Sequence, residues 1–591
     1  MTLPAQAPGS SAIPPSSQAG RRQFLARLAG LGVASAVFPG TLLALAEEKG
    51  AFTEEVVLQA EKIAGLSFTE VQRKQLLKGM NSLAEDFKKL RAVPLPNAVP
   101  PALRFSPLLP GTSVPKGASS FKTGVVPLPE VPADLEALAF LPVTQLAALL
   151  KSRKVTSTQL TQMYLSRLKR YDPTLRFVVT LTEERALAQA LKADEEIAAG
   201  RYRGTLHGIP WGAKDLFAVR GFKTTWGAAP FKDQVIDEDA EVVKRLDAAG
   251  AVLVAKLTLG ALAMGDVWFG GKTRNPWNPE DGSSGSSAGS ASAVAAGCVA
   301  FALGTETLGS IVSPCTRCGA TGLRPTFGRV PRTGAMALSW SMDKIGPIAR
   351  SVEDCAVILS IIQGPDGRDA TVVDAPFAFD ADADARKFRV GYIKSAFEEK
   401  EEEDPDADKK EKDAEWPVYD KAVLGTLRTM GIEPVPLELP DLPADSMALL
   451  LTCEAAAAFN DLTLSGRDAL MTAQGDDDWP NLFRQAQLIS AVQYIQANRA
   501  RTVLMEAMDK MFRDSGIDAY VCPSFGGGNL TITNLTGHPQ VVVPNGFRAK
   551  KGTPTSICFT GRLFEEGKVL ALAKTYQDAT GFHLKHAPLE G

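Results

Sequence analysis

A stretch rich in serine and glycine near the middle of the chain constrains the fold more than any other feature. It consists of two runs, 284–290 and 304–311, separated by small apolar residues at 291–303. Glycine-rich backbone lets main-chain N–H groups and hydroxyls converge on a small anionic centre, and it fills a core poorly. We therefore expect loops with a chemical role in both runs, joined by a tightly packed buried helix over 291–303.

Candidate reactive groups occur in and before these runs. Ser310 ends the Ser/Gly-rich part of the second run, where a nucleophile would follow an oxyanion-binding loop, and Ser286 in the first run is a candidate proton relay. A serine hydroxyl is a weak nucleophile and needs a neighbouring base. Lys214, in the segment Gly-Ile-Pro-Trp-Gly-Ala-Lys-Asp-Leu at 208–216, is the candidate base.

Charge and cysteine content exclude several classes of function. The 591 residues include 64 basic and 67 acidic side chains, a formal net charge of −3. Nucleic-acid binding usually leaves a basic footprint, so we expect no nucleic-acid partner. The seven cysteines are scattered and odd in number, and the pair Cys315 and Cys318 has no second pair beside it. Neither a disulfide framework nor a metal site is therefore predicted.

The first 46 residues resemble a twin-arginine export signal. Paired arginines at 21–22 are followed by Phe-Leu, an apolar run over 28–45 and an Ala-Leu-Ala site that predicts cleavage after Ala46. The alternative is an N-terminal membrane anchor. However, the run contains several alanines and glycines and Pro39, so it makes a poor permanent span. We expect the twin-arginine machinery as a partner, no stable membrane anchor, and a periplasmic or extracellular protein.

The remaining chain divides by composition. Residues 47–91 show helical periodicity, and 92–134 are rich in proline and predict an extended wrap or linker. The main domain is expected over 135–580, with a charged insertion at 397–415 and a C-terminal tail at 581–591.

Within the main domain, helical and strand patterns alternate, which is typical of a layered α/β domain. The predicted helices are 144–150, 157–171, 183–199 and 483–508. The predicted strands are 177–181, 252–255, 519–521 and 540–543.

Several separate motifs together resemble the amidase signature family. They are, in order, 206–216, 225–227, 275–279 running into 284–290, 304–311 running into 321–330, 341–347 and 537–539. The resemblance covers roughly 135–580, and it implies an α/β fold with a mixed central sheet covered by helices on both faces (α/β/α). It also implies hydrolysis of the C–N bond of a small-molecule amide, without a metal or an organic cofactor.

The family's Ser–cis-Ser–Lys triad falls on Ser310, Ser286 and Lys214. Lysine serves as a base only when neutral, and burial beside apolar residues lowers its pKa. The resemblance also implies an oxyanion hole made by the backbone N–H groups of Thr307, Leu308 and Gly309, with that of Ser310.

Three neighbouring residues accompany this set. Asp215 either orients Lys214 or caps a turn, and we expect His207 and His538 to be structural because the mechanism needs no histidine.

The chain departs from the family pattern around the nucleophile. Where the family usually has Asp, Gly and Arg, this chain has Glu306, Leu308 and Val312, and Ala288 replaces a glycine in the first run. If position 308 needs a positive φ, its leucine costs on the order of 1–2 kcal/mol. These changes leave the triad intact and the substrate open.

Three alternatives stay open. The segment 285–289 also fits the G-x-S-x-G elbow of α/β-hydrolases, with Ser287 as nucleophile and His538, His583 or His586 as base; that elbow needs a preceding buried strand, and we predict none at 275–282. A second is the A subunit of a tRNA-dependent amidotransferase, which the export signal disfavours. A third is an exported binding protein on a decayed amidase scaffold.

Overall fold

The computed structural model describes residues 52–398 and 415–589. The predicted export signal at 1–46 and most of the charged insertion lie outside these residues. The chain forms two compact units. One comprises the described residues up to Pro94 together with Gln487–Ser490, and the other comprises Leu95–Ala486 and the residues from Ala491 onward.

The first unit contains two helices, α1 (Glu54–Ala64) and α2 (Glu70–Arg91). Helix α1 ends at Gly65, which adopts a left-handed conformation with φ 65°. The buried carboxylate of Glu61 accepts from the guanidinium of Arg73 at 3.0 Å, which ties α1 to α2.

The second unit contains the remaining elements. Its α-helices are α3 (Val143–Lys151), α4 (Ser157–Leu175), α5 (Glu183–Ala198), α6 (Glu241–Ala248), α7 (Ala288–Ala295), α8 (Val312–Cys318), α9 (Val352–Ile362), α10 (Lys394–Glu398), α11 (Trp416–Thr429), α12 (Ala444–Met447), α13 (Leu449–Ala458), α14 (Asn460–Leu464), α15 (Trp479–Ala486), α16 (Ala491–Ser515), α17 (Asn529–Thr536) and α18 (Glu566–Thr580). Its 3₁₀ segments are Leu135–Leu138, Ala229–Phe231, Ala261–Ala263, Ala385–Lys387, Arg467–Leu470 and Phe582–Leu584. Its strands are β1 (Ser120–Lys122), β2 (Val178–Leu181), β3 (Pro210–Lys214), β4 (Val252–Leu257), β5 (Val267–Trp268), β6 (Gly271–Lys272), β7 (Arg274–Asn275), β8 (Asn278–Gly282), β9 (Phe301–Glu306), β10 (Thr321–Arg324), β11 (Lys344–Ala349), β12 (Ala378–Asp380), β13 (Val390–Ile393), β14 (Val435–Leu437), β15 (Ala519–Pro523), β16 (Gln540–Phe547) and β17 (Pro554–Gly561).

A large mixed sheet forms the centre of this unit. Its strand order is β14-β13-β15-β17-β16-β10-β11-β9-β3-β4-β2. Strand β3 runs parallel to both β9 and β4, whereas β11 pairs antiparallel with β9. Both neighbours of β3 are fully buried along their length, as expected for parallel strands covered on two faces. The predicted α/β fold with a mixed central sheet flanked by helices is confirmed.

The proline-rich segment after Leu95 packs along this unit. The side-chain amide of Asn97 makes two hydrogen bonds of 2.8 Å with the backbone of Ala337. Phe105 packs edge-on against Phe327 with ring centroids 5.0 Å apart. Farther along, β1 pairs in parallel with β12. The proline-rich segment therefore packs against the second unit in an extended conformation.

Two helix predictions are wrong in extent. Helix α7 ends at Ala295, and Gly297 follows with φ 64°, so the end of the predicted helix at 291–303 lies in β9 instead. A short buried apolar run does not reveal its own period, which explains the error. The helix predicted over 483–508 is two helices, α15 and α16, interrupted at Gln487–Ser490.

No helix within 52–398 or 415–589 is both long enough and apolar enough to cross a membrane.

Candidate active site

The carboxyl end of β3 places Lys214 in the interior of the protein. Strand β3 lies between two buried parallel strands, and its Trp211 stacks on Phe301 with ring centroids 5.9 Å apart. The side chain of Lys214 is fully buried. Burial lowers the pKa of Lys214 well below its ordinary value, and the carboxylates of Asp343 and Glu306 oppose that shift.

Three hydroxyl groups surround the amine. Lys214 Nζ lies 2.8 Å from Ser286 Oγ, 3.1 Å from Ser287 Oγ and 2.8 Å from Thr305 Oγ1. The peptide bond between Gly285 and Ser286 is cis. The structure thus brings together two of the predicted site residues, Lys214 and Ser286, and adds Thr305, which the sequence did not single out.

Ser310 lies two residues before α8, beside the first Ser/Gly run. The N–H of Ser287 donates to the carbonyl oxygen of Ser310 at 3.1 Å, so the two runs meet through their backbones. The Ser310 side chain is 7% exposed. Its hydroxyl makes no hydrogen bond, to Ser286 or to any other residue of the described chain, and is therefore available to a ligand.

The predicted oxyanion loop leaves its main-chain donors free. Within the described parts of the chain, the N–H groups of Thr307, Leu308, Gly309 and Ser310 donate to no protein acceptor. Gly309 has φ 84°, whereas Leu308 does not have a positive φ. The strain considered for a leucine at position 308 therefore does not arise, because the glycine next to it takes the left-handed conformation.

A buried carboxylate fixes the end of this loop. Glu306 Oε2 accepts from the N–H groups of Ile311 and Val312 at 2.8 and 2.9 Å. Its Oε1 accepts from the guanidinium of Arg324 at 2.7 Å and from the amide of Asn534 at 2.8 Å. All four hydrogen bonds favour the ionised carboxylate.

Neighbouring positive charges keep the carboxyl of Glu306 ionised although it is buried. Burial raises the pKa of this carboxyl, but Arg324 and Lys344 outweigh it and lower the pKa to about 2. From the sequence, Glu306 stood out only as a departure from the family pattern. Its position inside the second Ser/Gly-rich run, directly before the predicted oxyanion loop, was the available signal for a positioning role.

Asp215 does not contact the candidate base. Its Oδ1 lies 2.7 Å from the amine of Lys256, another fully buried lysine, and its Oδ2 accepts from the N–H of Thr225 at 2.9 Å. Asp215 therefore anchors the loop after β3 to β4. The pair with Lys256 was not predicted, since nothing in the local sequence joins the two residues.

The hydrolase-elbow alternative fails on geometry. The prediction of no strand before Ser287 is wrong, because β8 covers Asn278–Gly282; that strand pairs with β7 in a separate small hairpin. Ser287 is fully buried, and its Oγ bonds the backbone of Thr305 at 3.1 and 3.2 Å.

Two of the three histidines proposed for that elbow have other partners. His538 Nδ1 lies 2.8 Å from the hydroxyl of Thr536, and burial lowers the pKa of His538 to about 3. His586 stacks on Phe140, with ring centroids 3.9 Å apart. In the described residues no histidine is bonded to Ser287.

His207 is buried, and its Nδ1 accepts from the N–H of Arg203 at 3.1 Å. The described residues contain no group of three or more His, Cys, Asp or Glu side chains placed to hold a metal ion.

Comparison with known proteins gives the family. The family model described as Amidase matches residues 159–532. The chain belongs to the amidase signature family. Its membership makes this protein an amidase, a hydrolase of amide C–N bonds, as predicted.

Curated relatives of this amidase include components of a larger enzyme. The A subunit of the glutamyl-tRNA(Gln) amidotransferase of Methylococcus capsulatus is 33% identical over 498 residues, which cover 75% of this chain and 98% of that protein. The protein of the same name from Roseiflexus sp. is 34% identical over 480 residues, covering 73% of this chain and 95% of that protein.

Solved structures give the same fold for this amidase. The peptide amidase from Stenotrophomonas maltophilia has a TM-score of 0.66 at 31% identity, covering 76% of this chain and 98% of that chain. A structure described as PAM12A has a TM-score of 0.67 at 30% identity, covering 77% of this chain and 100% of that chain.

Proposed function

We propose that this amidase cleaves its substrate through an acyl-enzyme on Ser310, with Ser286 as proton relay and neutral Lys214 as base. In the first step, Ser310 Oγ bonds to the amide carbonyl carbon while its proton passes to Ser286, whose own proton passes to Lys214. The negative charge then forms on the former carbonyl oxygen. The N–H groups of Thr307, Leu308, Gly309 and Ser310, which have no acceptor among the described residues, are the donors available to that oxygen.

In the second step the C–N bond breaks, and the departing amine takes the proton back through Ser286. Water then adds to the acyl carbon of the ester on Ser310, and the same relay accepts and returns its proton. The products are a carboxylic acid and an amine, and the enzyme is regenerated.

The hydrogen bonds around Lys214 support the direction of proton flow. A neutral amine has two N–H donors and one lone pair. Ser287 Oγ and Thr305 Oγ1 are the acceptors for the two N–H groups, since the Ser287 hydroxyl already donates to the Thr305 carbonyl. The lone pair is then left for the hydroxyl of Ser286, 2.8 Å away.

One observation carries the proposal: a fully buried lysine amine, 2.8 Å from the hydroxyl of Ser286. The test is hydrolysis of a panel of aryl, alkyl and peptide amides by the purified protein. We expect turnover of at least one amide, abolished by Lys214→Met and by Ser310→Ala. Lys154→Met, at an exposed lysine, is the matched control and should retain activity. Turnover that survives Lys214→Met would refute the mechanism, and absence of turnover on any amide would favour a binding protein.

The second candidate is an A-subunit-like component of a tRNA-dependent amidotransferase. The observation that favours it is the name and coverage of the curated relatives. Copurification with tRNA and further subunits from the cytoplasm would support this candidate, whereas amide hydrolysis by the isolated chain supports the first.

We further propose that the protein is exported by the twin-arginine route and acts in the periplasm or outside the cell. The support is the Arg-Arg pair and apolar run described above. Replacing both arginines at 21 and 22 with lysine should trap the precursor inside the cell. Unchanged export of that variant would refute the route.

A further inference from the structure

Helix α8, which follows the proposed nucleophile, carries an arginine in its last turn. The N–H of Ser313 donates to the carbonyl of Gly309 at 2.8 Å, so helical hydrogen bonding begins at the loop itself. Helix α8 itself begins at Val312, two residues after Ser310, and Arg317 lies in its last turn. Arg317 is therefore separated from the proposed nucleophile by about two turns of helix.

The guanidinium of Arg317 lies beside two aromatic rings. Its guanidinium lies 5.5 Å from the ring centre of Trp416 and 5.5 Å from that of Phe525. These two rings pack edge to face at 6.0 Å. In the described residues the guanidinium has neither an ion pair nor a hydrogen-bond acceptor.

A second donor beside this arginine also lacks a partner. The indole Nε1 of Trp416 is buried and has no acceptor in the described residues. Buried polar groups in proteins are normally hydrogen-bonded, so an unpaired N–H next to an unpaired guanidinium is unusual. Phe525, on the other side of the guanidinium, is 47% exposed, which leaves this cluster open to solvent.

One segment of the chain contacts both the loop before α8 and the arginine at its end. Leu530 borders Gly309 at the nucleophile end, since a Cβ on Gly309 would lie 3.1 Å from Leu530 Cδ2. Phe525, five residues earlier in the same segment, borders Arg317 at the other end. At the first turn of α8 the hydroxyls of Ser284 and Ser313 lie 2.8 Å apart. The segment from Phe525 to Leu530 therefore joins the surroundings of Arg317 to those of the nucleophile loop.

We propose that Arg317 binds a carboxylate of the amide substrate, so that the enzyme prefers amides carrying a negative charge several bonds away from the scissile carbonyl. This inference rests on the proposed function. A guanidinium presents a planar fork of N–H donors that matches a carboxylate, and stacking between rings fixes the fork before the substrate arrives. The Trp416 N–H is a further donor for the same carboxylate.

The test compares acids with their neutral methyl esters in two arms. In the first arm the carboxylate is on the acyl side, as in the mono-4-nitroanilide of suberic acid. In the second arm it is on the amine side, as in N-acetyl-8-aminooctanoic acid. We expect kcat/KM of wild type to favour the acid over the ester by about 10- to 100-fold in one arm, the range for a hydrogen bond to a charged group.

Variants separate recognition from structure. Arg317→Met should remove the preference while leaving kcat/KM for the ester unchanged, and Arg317→Lys should retain part of it. Arg499→Met, at an exposed arginine on α16, is the control and should keep the preference. Equal turnover of acid and ester by wild type would overturn the inference and leave the proposed function intact. An equal loss of both substrates in the Arg317 variants would also overturn it, since Arg317 would then only support the fold. No turnover of any of the four compounds by an enzyme that hydrolyses other amides would also overturn the inference, whereas no turnover of any amide would count against the proposed function itself.

Discussion

The buried amine of Lys214 links activity to pH at the scale of a single residue. Because only the neutral amine accepts a proton, kcat/KM should be low in acid and rise as pH passes upward through the pKa of Lys214 in the folded protein. Burial sets that pKa well below the ordinary value. A pH profile of kcat/KM on a neutral amide measures it. A profile that stays low until the ordinary lysine range would show that the amine is charged at neutral pH.

The same pKa shift predicts how stability changes with pH. In the unfolded chain the pKa of Lys214 is about 10.4. At any pH between the folded and the unfolded pKa, the amine must therefore lose its proton when the chain folds. This cost falls as pH rises, so the folded state gains stability with increasing pH. The free energy of unfolding of wild type should therefore rise relative to that of Lys214→Met, by up to about 1.4 kcal/mol per pH unit between the folded pKa and about 10.4. Urea titrations of both proteins across this range measure the difference. A difference independent of pH would contradict a depressed pKa.

Thr305 is the positioning residue that the sequence did not reveal. Its hydroxyl lies 2.8 Å from Lys214 Nζ, and it directs one N–H of the amine away from Ser286. Thr305→Val removes that acceptor at nearly constant volume, and we expect kcat to fall about 10-fold with KM unchanged. Thr305→Ser keeps a hydroxyl and should keep most of the activity. An equal loss in both variants would indicate a packing role instead.

At the scale of an element, Glu306 connects β9 to the first turn of α8. Its carboxylate accepts from Ile311 and Val312 next to Ser310 and also pairs with the fully buried Arg324. Glu306→Gln leaves the guanidinium unpaired in the interior, which should cost about 3–5 kcal/mol of unfolding free energy and lower kcat. Chemical denaturation measures the first effect. Glu433→Gln, at an exposed carboxylate that pairs with Arg428, should change the unfolding free energy by less than about 1 kcal/mol. Equal effects of the two substitutions would contradict the assigned role.

The pKa of Glu306 predicts how the stability of the fold changes as the pH is lowered. Because its folded pKa of about 2 lies below the unfolded value, the carboxylate stabilises the fold above about pH 4.3. That contribution should be lost as pH falls from about 4.3 toward about 2, and Glu306→Gln should lack this part of the acid sensitivity.

Helices and strands were predictable from the sequence where their hydrophobic periodicity or their motif was clear. Helices α3, α4 and α5 follow amphipathic patterns, and the predicted ranges overlap the observed ones. The apolar run at 291–303 carries no such period, so a helix and a strand were merged into one. The strand β8 escaped prediction because Pro279 and two acidic residues suit a loop, and only pairing with β7 makes that segment extended.

At the scale of the whole molecule, the order and spacing of the motifs predicted the fold and the enzyme class. Contacts between side chains that are distant in the sequence could not be predicted. Asp215 and Lys256 pair across neighbouring strands, and Arg317 meets Trp416 and Phe525 from three distant segments. Contacts of this kind depend on the sheet order and on loop packing, which no local pattern encodes.

The most direct test of Ser310 as the nucleophile and Lys214 as its base is active-site labelling with a fluorophosphonate, followed by mass spectrometry of the modified peptide. We expect one phosphonylated residue, Ser310, with labelling abolished in Ser310→Ala and strongly slowed in Lys214→Met. Labelling of Ser287 instead of Ser310 would contradict the assignment of the nucleophile, and labelling of Ser310 at an unchanged rate in Lys214→Met would contradict the assignment of the base.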